Sequence, residues 1–238
     1  MSERVKIKPG AAPDRCETLW MLAYFSVYLA TLFFTLESEA VHWITLVALP
    51  FGILVYLRRG SPGTIRLTLQ SCGLARETSS HGLWWAIPVG IVLGALQLVV
   101  SQRRHEVWAI LQTPSAIYLV PLSLLVMLFL AGFTEEFFFR GIIQSRLQRS
   151  LKSNLLAVIA SSLLFAAYHI PYAYLNPNWP THGDLPAAIG ATLAQGGLIG
   201  LILGTVFVKS RGNLLACVIV HALIDTLAVL PQIKHMIG

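Results

Sequence analysis

Apolar residues in this chain come in long stretches separated by short polar punctuation. Seven such stretches stand out, at about 17–36, 41–57, 83–100, 117–133, 155–170, 186–208 and 213–231. Runs of this length with few charges predict helices that cross a membrane. The connections RRGSPG (58–63), PYAYLNPNWPTHGDLP (171–186) and KSRGN (209–213) carry the glycine, proline and asparagine of loops. Segment 60–82 is too polar to span and predicts a short amphipathic piece at the cytoplasmic surface. The pattern contains neither a soluble domain nor a sequence repeat. The expected fold class is all-α: a polytopic transmembrane helix bundle of about seven to eight spans.

Composition sharpens this picture. Of 238 residues, 55% are hydrophobic and 12% charged, and the mean hydropathy is +0.68. A soluble domain carries about 25% charged residues, twice as many. An integral, multi-pass membrane protein is therefore expected, with the lipid bilayer as its surroundings. With the N-terminus cytoplasmic, that side receives Arg4, Lys6, Lys8, Arg15, Arg58, Arg59, Arg66, Arg76, Arg140, Arg146, Arg149, Lys152, Lys209 and Arg211. The opposite side receives Arg103, Arg104 and Lys234. Basic residues favour the cytoplasmic side, so the N-terminus is expected there. The net charge of +6 then reflects orientation, and no nucleic-acid partner is expected. The first stretch follows a basic segment without a small-residue cleavage site, as in a retained helix. Cys16, Cys72 and Cys217 are odd in number and lack ligand-like spacing, which argues against a disulfide framework or a cysteine metal site. Gly196, Gly200 and Gly204 recur every four residues, a face that lets helices approach closely.

Ionisable residues interrupt the apolar stretches at few places: Glu135, Glu136 and Arg140 on the fourth, His169 on the fifth, His221 and Asp225 on the seventh. His42 lies near the start of the second, where an interfacial position explains it. At 1.5 Å of rise per residue, Glu135 lies roughly 16 Å below the membrane surface if its helix continues to Arg146. The same count puts His169 about 22 Å deep, His221 about 12 Å and Asp225 about 18 Å. All four fall in one overlapping layer of a hydrocarbon core about 30 Å thick. Isolated charges there are costly, whereas residues gathered in one cavity can satisfy one another. Glu136 and Arg140 stand i,i+4 with the acid first, the favourable order for an ion pair. Glu135 points about 100° away from Glu136, so the two acids need not share a task. His221 and Asp225 share a helix face. Each feature alone has a structural reading; their common depth points to a site.

EEFFFR (135–140), FAAYH (165–169) and HALID (221–225) resemble the motifs EExxxR, FxxxH and HxxxN/D of the CPBP intramembrane proteases, also called the CAAX protease, bacteriocin-processing or Abi family. The resemblance covers about residues 117–231. It implies an intramembrane glutamic endopeptidase, a hydrolase of the CAAX prenyl protease 2 type, acting through glutamate-activated water with no cofactor and no covalent intermediate. Carried over by position, Glu135 would be the general base and His169 would help hold the water. His221 and Asp225 would stabilise the oxyanion, with Glu136 and Arg140 in support. A carboxylate shielded from bulk water is a competent base near neutral pH, and donors aimed at an oxyanion gain strength in a dry cavity. Asp225 donates only when protonated; otherwise it accepts from His221 and orients that ring. The resemblance also implies a catalytic bundle at 117–238, preceded at 1–116 by a cytoplasmic tail and accessory helices. A membrane-anchored protein or peptide substrate and a bacterial plasma membrane fit it.

Three alternatives remain open in the sequence. Glu135, His169 and His221 could ligate zinc, but HExxH is absent; HEVWA at 105–109 lacks the second histidine and is expected in a loop. The same fold could serve as a non-catalytic scaffold or immunity protein. A proton-coupled transporter would use the same cluster as a relay, although the internal symmetry common in transporters is missing.

Overall fold

The computed structural model describes residues 14–34, 38–60, 62–75, 80, 82–101 and 103–237. Among these, the secondary structure is helical, without strands. The basic tail with Arg4, Lys6 and Lys8, and Arg76 in the second connection, lie outside the described residues.

The helices are α1 (Asp14–Leu32), α2 (Ala40–Leu57), α3 (Thr64–Ser71), α4 (Leu83–Val100), α5 (Arg104–Leu111), α6 (Ala116–Leu151), α7 (Asn154–Leu175), α8 (Leu185–Lys209), α9 (Leu214–Thr226) and α10 (Leu230–Ile237). Polar residues fix several starts. Ser153, Asp184 and Asn213 cap α7, α8 and α9 by accepting from the backbone N–H groups of Leu156, Ala187 and Leu215 at 3.0–3.3 Å, which satisfies donors that a helix end leaves unpaired.

Among the described residues five helices, α2, α4, α6, α7 and α8, are long and apolar enough to cross a membrane, and α9 with α10, bent by 71°, makes a sixth if the pair is one span. In their described residues the seven apolar stretches are largely helical, but the first and last fall short of a straight span. Arg15 and Glu17 lie inside α1, and the bend interrupts the seventh. The amphipathic piece expected in 60–82 is α3. HEVWA lies on α5 rather than in a loop, because Val107 and Ile110 turn one helical face onto Leu119, Leu230 and Ile233.

The fourth span continues far past residue 133, through α6 to Leu151, a length of about 54 Å. Residues 134–147 are buried without interruption, so this half of α6 is surrounded by protein on every side. Two π-helical stretches, Leu128–Phe133 and Phe137–Gln144, flank the short α-helical piece Thr134–Glu136. Such departures from i→i−4 bonding tend to occur where a helix carries function.

Around α6 the packing is specific. Met21, Phe25 and Tyr28 of α1 join Phe138, Phe139, Phe165 and Tyr168 in the largest core cluster, so the N-terminal helices share one core with α6 and α7. Arg140 and Gln144 donate to the backbone carbonyls of Gly200 and Gly204 at 3.3 and 2.9 Å. Residues four apart on α6 thus meet residues four apart on α8. The glycines do more than allow close packing: without side chains, they leave two carbonyls accessible. At Gly200 a Cβ would stand 2.9 Å from Ser162 Cα of α7, too close for any larger residue without movement.

A second polar knot ties α1 to α6. The Glu17 carboxylate is fully buried and accepts from Arg58 Nε and Nη2 at 2.6 and 2.8 Å. Arg146 Nε approaches it at 3.4 Å. Arg146, expected from the sequence at the cytoplasmic surface, is fully buried and also donates to Gly141 O and Ser71 Oγ at 2.8 and 2.9 Å. Arg58, Arg140 and Arg146 are interior partners of carboxylates and carbonyls, so they weigh less as surface charge than the sequence suggests.

Candidate active site

The buried half of α6 carries Glu135, Glu136 and Arg140, α7 carries His169, and α9 carries His221 and Asp225. The structure brings all six together. Glu136 Oε1 accepts from Arg140 Nη1 and from His221 Nδ1, each at 2.7 Å. Arg140 is held from behind by Gly200 O and stacks over the Phe165 ring at 4.5 Å. Its role is therefore structural in a definite sense: it fixes the carboxylate that fixes His221. Because a carboxylate only accepts, His221 Nδ1 carries a hydrogen.

The other edge of His221 faces the remaining acids. Its Nε2 lies 3.2 Å from Asp225 Oδ2 and 3.9 Å from Glu135 Oε2. Glu135 and Glu136 thus reach the same imidazole from opposite edges, which follows from the angular offset between adjacent residues on a helix. His169 Nε2 lies 3.8 Å from Glu135 Oε2. Its Nδ1 donates to Phe165 O at 2.8 Å. A carbonyl cannot donate, so the neutral ring keeps a bare lone pair on Nε2, directed at Glu135. Glu135 Oε2 is buried and has no hydrogen-bond partner among the described residues.

Exposure indicates where the site opens. The side chains of Glu135 and His221 are 10% and 5% exposed, those of His169 and Asp225 24% and 27%. The mouth therefore lies between α7 and α9, with Glu135 behind it and Glu136 and Arg140 sealed off completely. Among the described residues, no three His, Cys, Asp or Glu side chains are arranged to hold a metal ion.

Two features of the site were not legible in the motifs. His42 does not simply rest at an interface: its Nε2 lies 3.1 Å from Thr134 Oγ1 and its Nδ1 3.2 Å from Tyr168 Oη. These residues adjoin Glu135 and His169 in sequence. The second feature is the direct Glu136–His221 bond, which joins two motifs that the sequence leaves separate.

A helical protein that spans the membrane several times and gathers two histidines and three carboxylates in its interior is of the class that does chemistry or moves protons within the bilayer. Comparison with protein-family models narrows this. Residues 117–227, 111 of the 238 in the chain, match the family described as Rce1-like, type II CAAX prenyl endopeptidase. The matched segment contains all six site residues and supports the resemblance to CAAX proteases that the three motifs carry. No curated protein and no solved structure matches it.

Proposed function

We propose that this protein is an intramembrane endopeptidase that hydrolyses a peptide bond of a membrane-anchored protein or peptide with a water activated by Glu135. The observation that carries the reading is the placement of Glu135 Oε2, buried and without a hydrogen-bond partner among the described residues, 3.8 Å from the bare Nε2 of His169. Two acceptors at that separation can share one water, since hydrogen bonds of about 2.8 Å to each would subtend roughly 85° at its oxygen. Both hydrogens are then engaged and a lone pair faces the mouth.

In the proposed reaction, water oxygen attacks the scissile carbonyl carbon while one proton passes to the Glu135 carboxylate. The carbonyl oxygen becomes an oxyanion as the C–O bond forms. His221 and Asp225, at the same mouth, supply the donor that stabilises it. The shared hydrogen between Nε2 and Oδ2 can be offered from either side, by an imidazolium or by a protonated carboxyl. Glu135 next delivers its proton to the amide nitrogen, the C–N bond breaks, and a new carboxyl and amino terminus leave. Glu136 and Arg140 hold His221 and touch no reacting atom.

We assign catalysis to 117–238, with 1–116 contributing supporting helices, and assign the protein to a bacterial plasma membrane. A scaffold reading leaves the Glu135 carboxylate and the bare imidazole nitrogen without a use, and the family match to a peptidase favours hydrolysis over proton transport. The test is cleavage of lipid-anchored, dye-quenched peptides in proteoliposomes. Wild type should release fluorescence and Glu135→Ala should not. Equal signals from the two, with both proteins folded, would remove the base assignment.

A further inference from the structure

We infer that His42, on α2 and outside the family-matched segment, is a positioning residue of the active site. It locks the spacing of Glu135 and His169 through a directional chain of hydrogen bonds. The inference rests on the proteolytic reading for its functional meaning, but its geometry stands independently.

The direction of the chain is set at one end. Thr134 Oγ1 donates its single hydrogen to the backbone carbonyl of Leu130, one turn earlier on α6. The same oxygen meets His42 Nε2 at 3.1 Å, and with its hydrogen already committed it must accept there. His42 therefore carries its proton on Nε2 and leaves Nδ1 bare. Tyr168 Oη, 3.2 Å from Nδ1, is then the donor. The order Tyr168 to His42 to Thr134 to Leu130 O uses every hydrogen once and admits one neutral tautomer of the imidazole.

The anchor points explain why this matters. Thr134 and Tyr168 are buried, and each immediately precedes a residue of the proposed water site, Glu135 and His169. Bonding both to one rigid ring fixes α6 relative to α7 at that level. The rings reinforce the clamp: Tyr168 lies against His169 with centroids 4.9 Å apart, and Trp43 stacks on Phe133 at 5.5 Å. Thus α2 holds α6 at the adjacent residues Phe133 and Thr134. Loss of the chain leaves each helix intact and frees the 3.8 Å gap between Glu135 and His169 to vary, and misplacement of reacting groups by about 1 Å can cost on the order of 100-fold in rate.

The experiment uses the full chain in lipid nanodiscs, comparing His42→Phe, His42→Gln, Tyr168→Phe and the double variant Tyr168→Phe/His42→Phe. In His42→Phe, kcat should fall roughly 10- to 100-fold with KM changed less than about twofold. His42→Gln, whose amide N–H can reach Thr134, should recover part of the loss. The double variant should be no worse than His42→Phe, because both break one chain. Imidazole ¹⁵N spectra give a readout that needs no activity: His42 should be protonated on Nε2, and the His169 signals should move in His42→Phe. A folded His42→Phe protein with wild-type kcat, a His42 proton on Nδ1, or unmoved His169 signals would each overturn the inference. Should the wild type cleave nothing, the proteolytic reading fails, while the spectra still decide whether His42 couples to His169.

Discussion

Removing Arg140 isolates the most heavily buried charge pair near the site. Arg140 and Glu136 are both completely buried, and Arg140 also serves Gly200 O and the Phe165 ring. Arg140→Met keeps the apolar stem and leaves the Glu136 carboxylate with His221 alone. Stranding one member of a buried pair costs about 3–5 kcal/mol, a large share of a typical stability of about 5–15 kcal/mol. An exposed pair would cost about 0–1 kcal/mol. The double variant Arg140→Met/Glu136→Gln removes both charges, while the amide oxygen introduced at position 136 still accepts from His221, so it should recover at least half of the lost stability. Activity should stay low in both, since the side chain at 136 that holds His221 loses the guanidinium that fixes it in either variant, and its charge as well in the double one. Unfolding in one fixed detergent, followed by thermal and denaturant titration, measures the two differences. A loss below about 1 kcal/mol for Arg140→Met, or a double variant no more stable than the single one, would refute the reasoning.

Three further outcomes follow from the same geometry. Glu135→Gln should lower cleavage by about 100- to 10,000-fold with an unchanged unfolding midpoint, because Glu135 Oε2 has no hydrogen-bond partner to lose among the described residues; peptide-release rates and melting curves check this together. At 225, Asn can donate and Leu cannot. Asp225→Leu should lose about 100- to 1,000-fold in kcat and Asp225→Asn much less, whereas equal losses would remove the donor role assigned to position 225. Gly200→Ala should destabilise by about 1–3 kcal/mol, since its Cβ would meet the Ser162 backbone at 2.9 Å. Gly197→Ala, with open space around it, should be neutral or slightly stabilising, and parallel melts distinguish the two.

Long apolar runs made the helices legible, and several boundaries agree closely: 83–100 corresponds to Leu83–Val100, and 186–208 to Leu185–Lys209. Overlapping depth along three helices was enough to anticipate that Glu135, His169, His221 and Asp225 meet. What stayed hidden depends on contacts between helices far apart in sequence. Hydropathy places Arg146 at the end of a span, where a solvated arginine is the natural expectation, yet Glu17, 129 residues earlier, draws it into the interior. His42 looks interfacial until its two partners on α6 and α7 are known. HEVWA reads as loop because its flanks are polar, and becomes helical because Val107 and Ile110 find a buried face. The bend between α9 and α10 has a similar cause. The apolar run extends past Thr226 without interruption, but Leu230 and Ile233 pack with α5 and α6 residues instead of prolonging α9.

The central claim is that this constellation cleaves peptide bonds in the membrane. Its most direct measurement is a comparison of all protein termini in membranes carrying, at equal abundance, the wild type or Glu135→Ala. The expected result is a set of new termini present with the wild type alone, sharing a sequence context and mapping to membrane-anchored proteins. Identical termini from both membranes, with the wild type folded and membrane-anchored proteins present, would contradict it.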